Sequence, residues 1–169
     1  MDHGVRMFQL REKDLSSGDL LRIGHQVAEL TRSAGAQLFI NDRVDIALAV
    51  GADGVHLRTS SFSPEEARDF ARDLIIGASV HNAGEAIEKQ QADFLLFGPV
   101  FETPGKPHRG LDELRTVTEE VDCPVYTVGG ITPEKVDACF DAGAFGVAAI
   151  RAWQDPEVSE KNLRYFSQL

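Results

Sequence analysis

Short apolar segments alternate with helix-like segments along the whole chain. Runs such as residues 37–40, 54–57 and 94–97 are apolar and rich in branched or aromatic side chains. Each is followed by a segment whose apolar residues recur at helical spacing. A strand that is covered on both faces has this continuous apolar character, and a helical crossover returns the chain to begin the next parallel strand. The alternation therefore predicts an α/β fold in which helices cover a parallel sheet.

Seven strands are predicted, at residues 5–10, 37–40, 54–57, 74–79, 94–97, 124–128 and 146–150. Helices are predicted between them, and a further helix is predicted at residues 156–166. A closed (β/α)8 barrel needs eight strands and about 200 residues or more, whereas this chain has 169 residues. We therefore expect a (β/α)8 TIM-type barrel that lacks its first βα unit and forms a single domain over residues 1–169.

Charge and composition narrow the class of partner. There are 17 Lys and Arg residues against 27 Asp and Glu residues, a formal net charge of −10. This balance argues against nucleic acid or an anionic membrane as the main partner. No secretory signal or membrane-length apolar run is apparent, and two cysteines do not make a disulfide framework. We expect a cytoplasmic protein that binds small molecules, and we leave homo-oligomerisation open.

The first candidate site residues follow the first predicted strand. In a barrel of this type, functional residues lie at the carboxyl ends of the strands. Gln9, Arg11 and Lys13 occupy that position. Arg and Lys there suit a phosphate or pyrophosphate group. The alternative is a solvated cluster of charges that pair with one another.

Asn41 and Asp42 follow the second predicted strand. A carboxylate at this position suits Mg²⁺, with Asn41 as a hydrogen-bonding partner. The alternative is that one of the two caps the helix that begins here, because Asn and Asp are preferred N-caps.

The middle of the chain contributes Ser79, His81 and a longer loop at residues 98–110. Ser79 and His81 are candidate ligand contacts, although no third group is spaced to complete a nucleophilic triad. His56 is more typical of a buried imidazole, and no Cys/His set matches a zinc site. Lys106 in the loop is a candidate for closing over an anion; the alternative is an ordinary surface lysine.

A pair of glycines, Gly129 and Gly130, follows the sixth predicted strand and precedes a helix predicted to be capped by Thr132 and Pro133. Glycines let backbone approach a phosphate, and a helix N-terminus supplies N–H groups and positive potential. Ala149 and Ile150 end the last strand and leave room nearby. The pattern predicts a phosphate site, and a plain βα turn is the alternative.

Taken together, these motifs resemble the thiamin phosphate synthase/TenI superfamily. The resemblance is carried by Gln9-Leu10-Arg11-Glu12-Lys13, Ile40-Asn41-Asp42-Arg43, Gly51-Ala52-Asp53-Gly54-Val55-His56-Leu57, Gly77-Ala78-Ser79-Val80-His81, Phe97-Gly98-Pro99-Val100-Phe101, Thr103 with Lys106, and Gly129-Gly130-Ile131-Thr132-Pro133. It covers nearly the whole chain in order.

The resemblance implies a barrel enzyme of thiamin biosynthesis, a transferase that joins a hydroxymethylpyrimidine pyrophosphate to a thiazole phosphate and releases pyrophosphate. It implies roles for individual residues, which are here assigned by motif: Arg11, Lys13 and Lys106 to pyrophosphate; Gln9, Asn41 and Ser79 to the pyrimidine substrate; His81 to substrate; Asp42 to Mg²⁺; Thr103 to the thiazole; and Gly129, Gly130, Ala149 and Ile150 to the thiazole phosphate.

One departure from the synthase pattern keeps an alternative open. The stretch Arg58-Thr59-Ser60-Ser61 replaces one that in synthases contains a second carboxylate for Mg²⁺, with Ser61 in its place. This stretch is closer to the TenI branch, some of whose members are thiazole tautomerases. The histidine that such tautomerases carry after Phe-Gly is Pro99 here, as in synthases. The alternative is a TenI-like tautomerase, for which His81 is the nearest acid/base, or a non-catalytic thiazole phosphate-binding protein with a regulatory role.

Overall fold

The computed structural model describes residues 5–105 and 107–150. The chain divides into two compact units, Val5–Ala78 and the part that begins at Ser79. The predicted helix at residues 156–166 lies outside the described residues. The prediction of a single domain over residues 1–169 is not tested by this division and stays a prediction.

The first unit alternates strands with helices. Its elements are β1 (Met7–Leu10), α1 (Ser17–Ser33), β2 (Gln37–Asn41), α2 (Val44–Val50), β3 (Gly54–Leu57), α3 (Pro64–Phe70) and β4 (Ile75–Val80), whose last two residues belong to the second unit. Neighbouring strands pair in parallel in chain order, with Asn41 of β2 opposite His56 of β3. Leu38, Val55 and Ile76 are almost completely buried. This burial explains why the strands are continuous apolar runs.

The second unit continues the same pattern. Its elements are α4 (Ala83–Lys89), β5 (Phe94–Phe97), α5 (Gly110–Glu120), β6 (Val125–Val128), a 3₁₀ turn (Pro133–Lys135), α6 (Val136–Asp141) and β7 (Gly146–Ala148). The strands β5, β6 and β7 pair in parallel. Leu95, Phe97, Leu114 and Val117 have no exposed surface and form the centre of its core. The predicted alternation and parallel pairing are confirmed in both units.

The two helix starts at Ser63 and Thr132 differ in how their N-termini are capped. Ser63 and Glu66 form a capping box at the start of α3: the Ser63 hydroxyl accepts from the Glu66 N–H, and the Glu66 carboxylate accepts from the Ser63 N–H. The expected cap by Thr132 is wrong, because its side chain makes no capping hydrogen bond and a 3₁₀ turn precedes α6. The last strand ends at Ala148 rather than at residue 150.

Among the described residues, no helix combines the length and the apolar character that crossing a membrane requires.

Candidate functional site

The residues after β1 are exposed cations. Gln9, Arg11 and Lys13 are all exposed, and Phe8 and Leu10 are half-buried. Within the described part of the chain, neither Arg11 nor Lys13 pairs with a carboxylate, and Glu12 forms no ion pair. The alternative, that these charges pair with one another, is therefore wrong for the described residues. The role of these side chains toward a ligand stays a prediction.

Asp42 ends β2 in an unusual conformation. Its φ of 65° places it in the left-handed region, where a residue other than glycine is uncommon. Its N–H donates to the carbonyl of His56 (2.9 Å), which extends the β2–β3 pairing by one residue. The N-cap of α2 is Arg43, without a side-chain capping bond. The alternative that Asn41 or Asp42 caps this helix is therefore wrong. Asn41 is half-buried at the end of β2.

The Asp42 carboxylate is held by two side chains that follow β3. Arg58 donates from Nε to Oδ2 (2.7 Å) and a second guanidinium nitrogen contacts the same oxygen. The Ser61 hydroxyl donates to Oδ1. We call Asp42, Arg58 and Ser61 the ion-pair cluster. The hydrogen bond to the carboxylate raises the pKa of Arg58, which keeps the guanidinium charged.

The ion-pair cluster lines an open cleft of about 430 Å³. The side chain of Arg58 is 50% exposed, whereas that of Asp42 is only 18% exposed. The rest of the lining is Ser60, Phe62 and Glu66. The cation is therefore the more exposed charge of the ion-pair cluster. The Glu66 carboxylate accepts the Ser63 N–H of the capping box.

This arrangement does not fit Mg²⁺ as it stands. Magnesium requires oxygen ligands in near-octahedral geometry and is usually held by one or two carboxylates. Here the single carboxylate accepts from a guanidinium and from a hydroxyl, and a cation already lies against it. Within residues 5–105 and 107–150 no group of three His, Cys, Asp or Glu side chains is placed to hold a metal. The assignment of Asp42 to Mg²⁺ stays a prediction, and it requires displacement of Arg58.

The glycine pair of the second unit lies against the loop that follows β5. We call Gly129 and Gly130 the glycine turn. Gly130 has a φ of 63°, and a Cβ there would lie 2.6 Å from the carbonyl oxygen of Glu102. A Cβ on Gly129, with a φ of 104°, would lie 2.4 Å from the Pro99 Cβ. The N–H of Phe101 donates to the Gly129 carbonyl (3.0 Å). The two glycines are thus required by backbone packing, whatever they bind.

Lys135 adds a cation to the glycine turn. It ends the 3₁₀ turn, its Nζ donates to the Gly130 carbonyl (3.0 Å), and it lies 4.6 Å from the centre of the Phe101 ring. These contacts place a half-buried positive charge beside the predicted phosphate site. They also tie the 3₁₀ turn to the loop after β5.

His81 and Thr103 are positioned by backbone carbonyls of the second unit. The His81 Nδ1 hydrogen-bonds to the Gly98 carbonyl (2.5 Å) and so carries the ring proton, which leaves Nε2 as the basic nitrogen. The Thr103 hydroxyl donates to the Phe101 carbonyl (3.1 Å). Ser79 is half-buried in β4, Ala149 is half-buried and Ile150 is exposed after β7. Lys106 lies outside the described residues. The predicted roles of these residues stay predictions.

Two residues that the sequence reading did not place in the site are brought to it by the structure. In the sequence, Arg58 is distinguished only as part of a divergent stretch, and nothing distinguishes Lys135. For Arg58 a signal was available, because it directly follows a buried strand, as Asp42 does. For Lys135 no such signal exists, since its contact depends on the 3₁₀ start of the helix.

Comparison with known sequences finds similarity to thiamine-phosphate synthases. The profile of the TMP-TENI family, described as thiamine monophosphate synthase, matches residues 1–153. A protein of Aquifex aeolicus, provisionally named thiamine-phosphate synthase 2, is 46% identical over 152 residues, which is 87% of this chain and 82% of that protein. The thiamine-phosphate synthase of Pyrococcus abyssi is 40% identical over 157 residues, covering 90% of this chain and 76% of that protein.

Comparison with solved structures confirms the predicted fold class. The thiamine phosphate pyrophosphorylase of Pyrococcus furiosus matches with a TM-score of 0.91 and 37% identity, over 99% of this chain and 83% of that chain. A 3-hexulose-6-phosphate synthase structure matches with a TM-score of 0.71 at 18% identity over 97% of this chain, which bears on the fold alone. The chain has an α/β fold of the TIM-barrel type.

Proposed function

This chain belongs to the thiamine monophosphate synthase family, and on that premise we propose that it is a thiamin phosphate synthase. It is a transferase that joins a hydroxymethylpyrimidine pyrophosphate to a thiazole phosphate. The observation that carries this proposal is the similarity to thiamine-phosphate synthases over most of both chains. Relatives with that name are 38–40% identical over 88–95% of this chain. We propose a cytoplasmic location for it.

The proposed reaction makes one bond and breaks one. The C–O bond between the pyrimidine methylene and the diphosphate breaks, and its electron pair leaves with pyrophosphate. The thiazole nitrogen then donates its lone pair to the methylene carbocation. Because charge develops on the leaving group, catalysis requires cations placed against it rather than a protein nucleophile.

The exposed cations after β1 support this mechanism. Arg11 and Lys13 are unpaired with carboxylates among the described residues, so their charge is available to an anion. We assign them to the pyrophosphate, together with Lys106. We assign Gln9, Asn41 and Ser79 to the pyrimidine substrate.

The second unit supplies groups for the other substrate. We assign the glycine turn, with the backbone at Ala149 and Ile150, to the thiazole phosphate, and Thr103 to the thiazole ring. Lys135 adds positive charge to the glycine turn, which favours an anion there. Pro99 occupies the position at which tautomerases of the family carry a histidine, which favours the synthase.

The test is product formation by the full chain. Hydroxymethylpyrimidine pyrophosphate and thiazole phosphate are incubated with it in the presence of Mg²⁺, and mass spectrometry follows thiamin phosphate. We expect product, and we expect Arg11→Gln and Lys13→Gln each to lower the rate by about tenfold or more, since each removes a charge-assisted contact. Absence of product under saturating substrate would contradict the proposal.

A TenI-like tautomerase is the second candidate, and one observation favours it. The His81 ring is oriented by the Gly98 carbonyl with Nε2 as its basic nitrogen, which suits proton transfer. This candidate predicts isomerisation of a thiazole carboxylate phosphate without any pyrimidine substrate. It also predicts that His81→Ala abolishes the isomerisation. Isomerisation that survives the substitution removes His81 from that role.

A further inference from the structure

The ion-pair cluster presents a cation at the place where the motif predicts a metal ligand. We propose that Arg58 takes the place of a divalent cation at Asp42 and binds a phosphate group of the pyrophosphate directly. This inference rests on the proposed function and names a specificity-determining residue for it. Arg58 then contacts the leaving group, and Asp42 is a positioning residue that orients the guanidinium.

The geometry of Asp42 supports a positioning role. Its left-handed backbone, with φ at 65°, and its N–H bond to the His56 carbonyl place its carboxylate beside the residues after β3. Both carboxylate oxygens then accept from those residues, Oδ2 from Arg58 and Oδ1 from Ser61. A metal at Asp42 would have to compete with these donors for the carboxylate oxygens. Backbone strain of this kind persists where the surrounding contacts enforce it.

The exposure of the two charges supports an anion rather than a cation as the ligand. Arg58 is half-exposed toward the open cleft, whereas the Asp42 carboxylate is mostly covered. A guanidinium has five N–H donors in a planar fork, so one edge can face a carboxylate while the group also contacts a phosphate. The hydroxyl-bearing side chains of Ser60 and Ser61 line the same cleft.

The cleft lining carries one acidic group besides Asp42. Glu66 is the other carboxylate of the lining, and the capping box binds it to the Ser63 N–H. Replacing a divalent ion by one guanidinium lowers the local positive charge by one unit. The exposed Arg11 and Lys13 of the same unit are available to contribute charge to the pyrophosphate.

The first experiment is calorimetric titration of inorganic pyrophosphate into the full chain, in buffer with EDTA and without divalent ions. We expect binding, weakened about tenfold or more by Arg58→Gln, the usual scale for a charge-assisted hydrogen bond. The matched control is Arg22→Gln, which removes another exposed arginine paired with an aspartate, Asp19. It should leave the affinity unchanged. Thermal melts check that each variant folds.

The second experiment asks whether a metal site appears when the cation is removed. Mn²⁺ binding is measured by electron paramagnetic resonance on the wild type and on the Arg58→Gln/Ser61→Asp double variant, which places a second carboxylate beside Asp42. We expect binding at least about tenfold tighter in the double variant, because a paired cation no longer opposes the ion. Mn²⁺ binding to the wild type that Asp42→Asn abolishes would overturn the inference.

The outcomes separate this inference from the proposed function. If Arg58→Gln leaves product formation unaffected, and if pyrophosphate binds only when Mg²⁺ is present, the inference is wrong and the synthase proposal stands. Arg58-dependent pyrophosphate binding without product formation supports the inference and sinks the synthase proposal.

Discussion

The ion-pair cluster and the glycine turn both follow the ends of parallel strands, yet they are built by different forces. In the ion-pair cluster, side chains meet at a half-exposed surface, and the backbone is unusual at one residue, Asp42. In the glycine turn, backbone meets backbone at distances that leave no room for a Cβ. A half-exposed ion pair contributes little to stability, whereas a close backbone approach tolerates no added atom. Substitutions in the cluster should therefore affect mainly pyrophosphate binding, whereas a Cβ added in the turn should lower stability, whatever the turn binds.

The largest expected effect is at the glycine turn. We expect Gly130→Ala to lower the free energy of unfolding by about 3 kcal/mol, because a left-handed alanine costs about 1 kcal/mol and the clash with the Glu102 carbonyl adds an overpacking cost. Gly105→Ala is the matched control, since its φ is 75° and nothing lies within 4 Å of the added Cβ. It should cost only about 1 kcal/mol. Urea denaturation measures both, and equal losses would show that packing at Glu102 is unimportant.

The buried thiol of Cys139, in the helix after the glycine turn, should make the free energy of unfolding depend on pH. Cys139 in α6 is fully buried, which raises the pKa of its thiol to about 11 from the model-compound value of 9.0. The folded chain therefore holds this proton while the unfolded chain loses it. The stabilisation is complete below pH 9 and is lost as the pH rises toward 11, by up to about 3 kcal/mol. Urea denaturation at pH 8 and at pH 10.5 measures the loss, and Cys139→Ala should reduce it. An unchanged loss in that variant would assign the effect to other groups.

A smaller effect is expected where a side chain supports the glycine turn. Lys135→Met keeps the apolar stem and removes the ammonium, which loses the bond to the Gly130 carbonyl and the contact with the Phe101 ring. We expect a loss of about 1 kcal/mol in the free energy of unfolding. Lys13→Met, at an exposed lysine, should change it by less than about 0.5 kcal/mol. If the two variants behave alike, the Lys135 contacts do not stabilise the turn.

The smallest expected effect is at the ion-pair cluster. Asp42→Asn should change the free energy of unfolding by less than about 1 kcal/mol, because the Arg58 side chain remains half-exposed to water. Chemical denaturation at low and at high salt checks this. A loss above about 2 kcal/mol would mean that the cluster is a structural element, contrary to the comparison.

The sequence predicted the fold well because its signals are local. Apolar runs predicted all seven strands of the described chain, and the Ser-Pro-Glu-Glu pattern at residues 63–66 is typical of the capping box that is present. Asp42 was predicted to be a site residue because it follows a buried strand. The error at Thr132 arose because the same Thr-Pro-Glu signal also suits a 3₁₀ turn.

The partners of the site residues were beyond sequence reasoning. Arg58 meets Asp42 across 16 positions, and that contact depends on the register of Asn41 opposite His56 and on the left-handed turn of Asp42. The approach of Gly129 to Pro99 likewise joins two loops that are separated along the chain. Contacts between loop backbones leave no periodic pattern, so the glycines indicated a turn without indicating what they face.

One measurement tests the contrast between the two regions most directly: thermal melts of the full chain, with and without inorganic pyrophosphate in EDTA, for the wild type, Arg58→Gln and Gly130→Ala. Pyrophosphate at 100 times its dissociation constant adds roughly 2.7 kcal/mol, enough to raise the midpoint by several degrees. We predict that Arg58→Gln melts like the wild type without ligand but shows only about half of the shift, because tenfold weaker binding leaves roughly 1.4 kcal/mol at the same pyrophosphate concentration. We predict that Gly130→Ala melts several degrees lower and keeps the shift. If Arg58→Gln keeps the full shift, or if Gly130→Ala melts like the wild type, the division between a pyrophosphate-binding cluster and a turn required for stability is wrong.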